Sequence, residues 1–511
     1  MTEVLMGIDV GTGSTKGLLA TPDGRIVTST VRDHRLSLPR PGWAEMDAES
    51  IWWTEIAGIS RELVATADST GDHVVGVCVS GLGPCLLPTD ADGRPLRPAI
   101  MYGIDMRATA EIEELTRELG ADRIFRRCGK TLSTQAVGPK LRWLAKHEPE
   151  VWSATQRFFN SNSWLAFRLT GEYVADHQTA SQSDPLYDVG SRDWSHDWAA
   201  ALAPDVELPR LVWPTEVVGT VTRAAGEQTG LPVGTPVSAG TIDAWAEAFS
   251  VGVRSPGDLM LMYGSTMFFV QVLGDYAAHE MLWTTNGVDP GQYTLAAGMA
   301  TSGSLTQWLQ ELTGGADFGT LVEEARAVPA GSDGLLMLPY FSGERTPIFD
   351  ARARGVIAGL SLRHRRGHLF RAAYEGIAYG IRQIVGFLDQ VETGRTADAS
   401  GASGGGGQRL VAVGGGTQGG LWTQIVSDVT GLPQDVPAET IGAAYGDALM
   451  AAIGTGLVSP DTNWARIRET ITPDPAAREV YDRLSDAYGR LYTATKDDVH
   501  LLAMLQEQGA G

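Results

Sequence analysis

Residues 4–20, VLMGIDVGTGSTKGLLA, and residues 259–273, LMLMYGSTMFFVQVL, share one design: an apolar strand, a tip of glycine and hydroxyl residues, and a second apolar strand. Strands this apolar read as buried on both faces, which an α/β protein provides by covering a mixed sheet with helices. The recurrence of the hairpin predicts two duplicated α/β domains, 1–252 and 253–511, with the turn chemistry of Arg254-Ser255-Pro256-Gly257 at the joint.

Working outward, residues 4–31 read as a meander that turns at Pro22-Asp23-Gly24. A helix is expected from near Asp47, with Ile51, Trp52, Ile56, Ile59 and Leu63 on its apolar face. The run VVGVCVS, 74–80, fits a buried strand, and 105–170 is mostly helical by pattern. GTIDAWAEAFSVG, 240–252, reads as a strand end followed by a small-residue helix. GAAYGDALMAAIGTGL, 442–457, reads as a buried small-residue helix interrupted by Asp447. The segment 393–408, rich in Gly and Ser, reads as a loop.

At 511 residues with 43% hydrophobic and 20% charged positions, the chain has ample core for two or three domains, which excludes disorder as a global state. Forty basic against 61 acidic residues give a net charge of −21, which disfavours a duplex nucleic acid or an anionic membrane as partner. The opening MTEVLMGIDV has neither a basic region nor an apolar leader core, so a cytoplasmic location is expected. Three scattered cysteines suit neither a disulfide framework nor a zinc site, and Cys78 reads as core.

In GIDVGTGSTKG, 7–17, Asp9 ends a buried strand and the glycines admit close approach of backbone N–H groups to a ligand. Thr12, Ser14 and Thr15 add hydroxyls and Lys16 a charge, which together suit phosphate with a carboxylate placed for magnesium. The segment is neither a Walker loop nor a dinucleotide fingerprint, and a plain hairpin with a capping Asp stays open as the alternative. Asp243, after a strand and before a helix, suits a base that takes a proton from an attacking hydroxyl, or a charge partner of the helix N-terminus.

Gly414, Gly416 and Gly419 satisfy G-x-G-x-x-G, with Asp435 downstream, so a nicotinamide dehydrogenase competes. Against it, the Asp435 strand is short and flanked by Pro433 and Pro437, and the same glycine loop suits an adenosine. GASGG, 401–405, matches the serine-hydrolase elbow only formally, because no strand runs into it. Arg363-His364-Arg365-Arg366 reads as a solvated loop before a helix.

Together these stretches resemble the FGGY family of carbohydrate kinases. The most specific match is GVIAGLSLRHRRGHLFRAAYEG, 355–376, where Gly355, Gly359, Leu360, His368, Leu369, Ala372, Ala373, Tyr374 and Glu375 meet the family's second signature. PYFSGERTP, 339–347, looks like the xylulokinase branch. The resemblance implies two duplicated actin-like, ribonuclease-H-like ATPase domains with a cleft between them. It also implies an ATP- and Mg²⁺-dependent transfer of phosphate to a primary hydroxyl of a small ketose. Carried over by motif, Asp9 helps hold Mg²⁺ and Asp243 is the general base; Thr12, Lys16, Gly264, Ser265, Gly303, Gly415 and Gly416 meet ATP. Gly83, Pro84 and Asp105, with Asp243, stand where the substrate is bound.

The departures fall where substrate is chosen. The S-G-Q-M-H-G of xylulokinases is Ser80-Gly81-Leu82-Gly83-Pro84-Cys85 here, and the polar residue after the catalytic Asp is Ala244. W-x-D-x-R becomes Gly103-Ile104-Asp105-Met106-Arg107, and the glycerol-kinase N-Q-R-E-T is absent. Another pentulose or a polyol is therefore an alternative acceptor. An actin-like ATPase without an acceptor is the alternative of a different class, and a homodimer is compatible with the sequence.

Overall fold

The computed structural model describes residues 2–393, 408–439 and 441–509, so GASGG lies outside the described residues. The chain forms two compact units. The first comprises residues 1–254, 284–294 and 441–465, and the second 255–283, 295–440 and 466–511. Against the contiguous division expected near residue 253, segments 284–294 and 441–465 group with the first unit.

In the first unit, β1 (Glu3–Val10), β2 (Ser14–Ala20) and β3 (Ile26–Asp33) form the meander, and β4 (His73–Gly81) lies on the far side of β1. β5 (Val217–Thr220) and β6 (Pro236–Ser238) complete a six-stranded sheet in the order β5-β6-β4-β1-β2-β3. β1 runs antiparallel to β2 and parallel to β4, so it is central and buried at seven of its eight positions. That explains its unbroken apolar sequence.

Asp47 starts the predicted helix, its carboxylate accepting from the Ser50 N–H at 2.7 Å. A wide first turn leads into α1 (Thr54–Thr70), whose Ile56, Ile59 and Leu63 join the core. α2 (Asp243–Ser250) follows the sheet, and α3 (Ala443–Gly454) returns to it with residues 443–452 all buried. The small residues of α3 have a physical reason. A Cβ on Gly7 of β1 would lie 1.9 Å from the Ala444 carbonyl oxygen, and one on Gly446 2.0 Å from that of Ala246 in α2. Backbone meets backbone on both sides of α3, which only glycine permits.

The second unit repeats the theme. β7 (Asp258–Tyr263) is antiparallel to β8 (Met267–Leu273) and parallel to β9 (Arg409–Val413), which continues into β10 (Gln434–Pro437) and the antiparallel β11 (Ile467–Ile471). Its helices include α4 (Gly303–Leu312), α5 (Arg366–Thr393), α6 (Leu421–Thr430) and α7 (Arg478–Gly509). Glu375 of the signature stretch is a buried node of α5. It accepts from Arg371 Nε at 2.8 Å, the Gly331 N–H at 2.9 Å, Ser332 Oγ at 2.7 Å and the Tyr481 hydroxyl at 2.9 Å.

Candidate active site

β1 delivers Asp9 near its C-terminal end, where it pairs in register with Lys16 of β2 and Ser80 of β4. Directly opposite residues share a face, so the carboxylate, ammonium and hydroxyl are neighbours. Asp9 is 8% exposed, and burial raises its carboxyl to about 6 against the opposing pull of Lys16 and Ser80.

α2 brings two more carboxylates, Asp243 and Glu247, one turn apart on one face. Both are partly exposed. Burial by the surrounding protein, then the charge of Asp9, holds Asp243 well above the ordinary carboxylate range, while the Ala244 N–H fixes Asp243 Oδ1 at 2.8 Å. The same two causes push Glu247 up to about 7. A fourth carboxylate, Asp447 of α3, is fully buried and accepts from Ser80 Oγ at 2.6 Å. Its carboxyl is raised well above the usual range, chiefly by burial.

Lys16 is the cation that acts on Asp9, Asp243 and Glu247. Carboxylates that act on one another beside a single ammonium suit a divalent cation. Among the described residues no group of three or more His, Cys, Asp or Glu forms a preformed metal cage. Magnesium takes one or two carboxylates and completes its shell with phosphate oxygens and water.

Beside Asp9, the hairpin tip closes through Gly11 N–H to the Ser14 carbonyl at 3.0 Å, and a Cβ on Gly13 would meet no atom within 4 Å. The tip therefore presents open backbone. Thr12 Oγ1 is 2.7 Å from the Tyr102 hydroxyl, a contact the sequence did not signal.

Of the expected substrate residues, Gly83 lies close to the Asp243 loop: its Cβ would stand 3.0 Å from Ile242, and the Gly81 N–H donates to the Thr241 carbonyl at 3.2 Å. Pro84 follows it as a buried residue. Asp105 is different. It is 2% exposed, and its oxygens accept from Arg107 Nε and Nη2 at 2.7–3.0 Å and from the Ala44 N–H at 2.7 Å. Arg107 in turn lies 4.0 Å over the Trp43 ring and donates to Glu45 at 2.8 Å. The charged pair retained at this motif is thus buried and mutually bonded. Where the motif's tryptophan is missing, the Gln135 amide nitrogen stands 2.9 Å from the position a Cβ on Gly103 would take.

In the second unit the expected nucleotide residues come together. The Gly303 N–H donates to the Gly264 carbonyl at 2.9 Å, and the N–H groups of Ser302 and Ser304 reach that of Ser265 at 3.1 and 3.2 Å, fastening the tip of the β7–β8 hairpin to the start of α4. The glycine loop after β9 lies on the same strand, since a Cβ on Gly414 would sit 2.6 Å from the Tyr263 carbonyl oxygen. Gly416 packs on Trp422, while a Cβ on Gly415 would meet open space. Asp435, the ribose ligand a dehydrogenase would need, faces Arg409 at 3.2 Å and accepts from the Thr470 hydroxyl at 2.7 Å.

Residues 4–250 match the N-terminal domain model of the FGGY family of carbohydrate kinases, and residues 259–455 match its C-terminal domain model. The chain belongs to the FGGY family of carbohydrate kinases. A xylulose kinase of Lactococcus lactis is 28% identical, with 100% of each chain covered. A glycerol kinase of Nocardia farcinica is 31% identical, covering 91% of this chain and 93% of the relative. The crystal structure of xylulose kinase from Rhodospirillum rubrum is 34% identical over 97% of this chain and 100% of its own, with a TM-score of 0.87.

As an FGGY kinase the protein is an ATP-dependent phosphotransferase with an alcohol group as acceptor, xylulokinase-like over its whole length. The family assignment displaces the dehydrogenase and hydrolase alternatives. Among the described residues no helix is long and apolar enough to cross a membrane. Glu247 and Asp447 are the site residues that motif reading missed. Glu247 was detectable as the residue four positions after Asp243 on a helix, whereas Asp447 looked like an interruption in a core helix.

Proposed function

We propose that this kinase transfers the γ-phosphoryl group of MgATP to a primary hydroxyl of a small ketose, with Asp243 as general base. The observation that carries the reading is the placing of Asp9 in register with Lys16 and Ser80 beside an open glycine hairpin. Phosphoryl transfer is mostly positioning and charge neutralisation, and this cluster supplies both.

Asp243 accepts the proton as the acceptor oxygen bonds to the γ-phosphorus and the bond to the β–γ bridging oxygen breaks, releasing ADP. Its partly desolvated carboxylate is a stronger base than an exposed one, and the Ala244 N–H fixes its orientation. Asp9 would hold magnesium, which when bound neutralises phosphate charge. Thr12 and Lys16 would meet the phosphates; Gly264, Ser265 and Gly303 would serve the nucleotide's phosphate side, and Gly415 and Gly416 its adenosine. The likeness to xylulose kinases over the full length favours a ketose acceptor. The likeness to a glycerol kinase keeps polyols in the test. Gly83 and Pro84 border the acceptor.

The test is ADP release from MgATP across pentuloses, hexuloses, pentitols, tetritols and glycerol, with Asp243→Asn and no-acceptor controls. A ketose-dependent signal that falls by about 10² to 10⁴-fold in Asp243→Asn supports the reading. A response confined to polyols overturns the ketose, and an undiminished Asp243→Asn rate overturns the base.

A further inference from the structure

The hairpin between β1 and β2 is fastened by a side chain from outside it. His34, which follows β3, has a side chain only 5% exposed. Its backbone N–H donates to the Gly13 carbonyl at 3.0 Å, and its ring Nε2 lies 3.0 Å from the Gly11 carbonyl oxygen. Ring Nδ1 lies 2.9 Å from Glu55 Oε2 of α1, and that same oxygen accepts from the Thr15 hydroxyl at 2.6 Å.

We propose that His34, held by Glu55, is a positioning residue that sets the phosphate-binding hairpin and thereby the affinity for MgATP; this rests on reading that hairpin as the phosphate site. In a trans peptide the C=O and the following N–H point in opposite directions. Drawing the Gly11 and Gly13 carbonyls toward His34 therefore turns the N–H groups of Thr12 and Ser14 away from it. A carbonyl oxygen only accepts and an ionised carboxylate only accepts, so the ring satisfies both neighbours when each nitrogen carries a proton.

Glu55 from α1 and the Gly11 carbonyl from the hairpin face the ring, and the Thr15 hydroxyl of β2 donates to the same Glu55 oxygen. Arg32 of β3 pairs with Glu62 of α1, and Lys16 of β2 acts on Asp9.

The test is calorimetric titration of MgATP, without acceptor, into the full-length wild type, His34→Ala, Glu55→Ala and the double variant. Loss of one charged hydrogen bond corresponds to an affinity decrease of about 10-fold or more for His34→Ala. Glu55→Ala should approach it, and the double variant should be no worse than the weaker single one, because both act through one contact. If His34→Ala fails to fold, His34→Gln takes its place and should bind MgATP less tightly than wild type. Wild-type affinity in His34→Ala, or in His34→Gln where that is the variant that folds, would overturn the proposal, as would effects of the two single substitutions that multiply. Thr12→Ala and Lys16→Ala separate the layers. If both leave MgATP affinity intact, the phosphate reading itself fails; if they weaken it while the His34 variants do not, only the clamp fails.

Discussion

Ser80 gives its hydroxyl proton to Asp447 at 2.6 Å, while Asp9 stands 3.5 Å from the same oxygen. The hydroxyl thus ties a buried carboxylate of α3 to the strand beside Asp9, and α3 reaches that strand only through its glycines and alanines. Ser80→Ala leaves Asp447 without this donor, which should cost about 1–3 kcal/mol. Asp447→Asn preserves shape and acceptor, and its raised carboxyl range makes the neutral form the natural comparison, so the loss should be smaller. Urea unfolding of both variants checks the order; a larger loss in Asp447→Asn would show that charge on Asp447 matters to the fold.

Asp105 is expected to behave as a structural residue. Removing it as Asp105→Ala strips Arg107 of a bidentate partner inside the protein, a change worth about 3 kcal/mol or more. The melting temperature should fall, and the acceptor KM should follow only as far as folding is compromised. Unchanged stability with a raised acceptor KM would return Asp105 to the substrate.

Gly446→Ala tests the close packing of α3. The new methyl would lie 2.0 Å from the Ala246 carbonyl oxygen, and backbone yields less easily than a side chain tip. A cost of about 1–3 kcal/mol is expected. Because α2 carries Asp243 and Glu247, turnover should fall in the folded fraction as well. A variant as stable and active as wild type would contradict the packing described.

Glu344 gives stability a pH dependence. It is 4% exposed, accepts from the Ala300 and Arg345 N–H groups at 2.6 and 2.8 Å, and burial pushes its carboxyl up to about 8. Between the unfolded value near 4.5 and about 8 the folded state keeps a proton that the unfolded state has released. Its contribution is therefore full below 4.5 and is lost as pH rises through about 8. The melting temperature of Glu344→Gln should gain on wild type as pH goes from 5 to 8; a constant difference would remove Glu344 as the cause.

Much of the fold is legible in the sequence because its signals are local. Apolar runs at 4–10 and 259–263, glycine tips and the Asp47 cap each act within a few residues, and the repeated hairpin declares the duplication. The family signature at 355–376 is equally visible, though its Glu375 turns out to anchor α5 to Gly331, Ser332 and Tyr481. The site is legible only where a motif is contiguous, as in Asp9 to Lys16 or Gly414 to Gly416.

By itself, the sequence determined two hairpin-led α/β halves, the acidic character of the chain, and Asp9 and Asp243 as candidates for the chemistry. The tertiary structure decided that Asp447 approaches Ser80 from far along the chain, that Asp105 is occupied by Arg107, and that His34 and Glu55 fasten the hairpin. Those outcomes depend on which backbone surfaces come close enough to touch. A short-range pattern of apolar and polar residues fixes the elements, but the charge a buried group can carry depends on the neighbours that packing gives it.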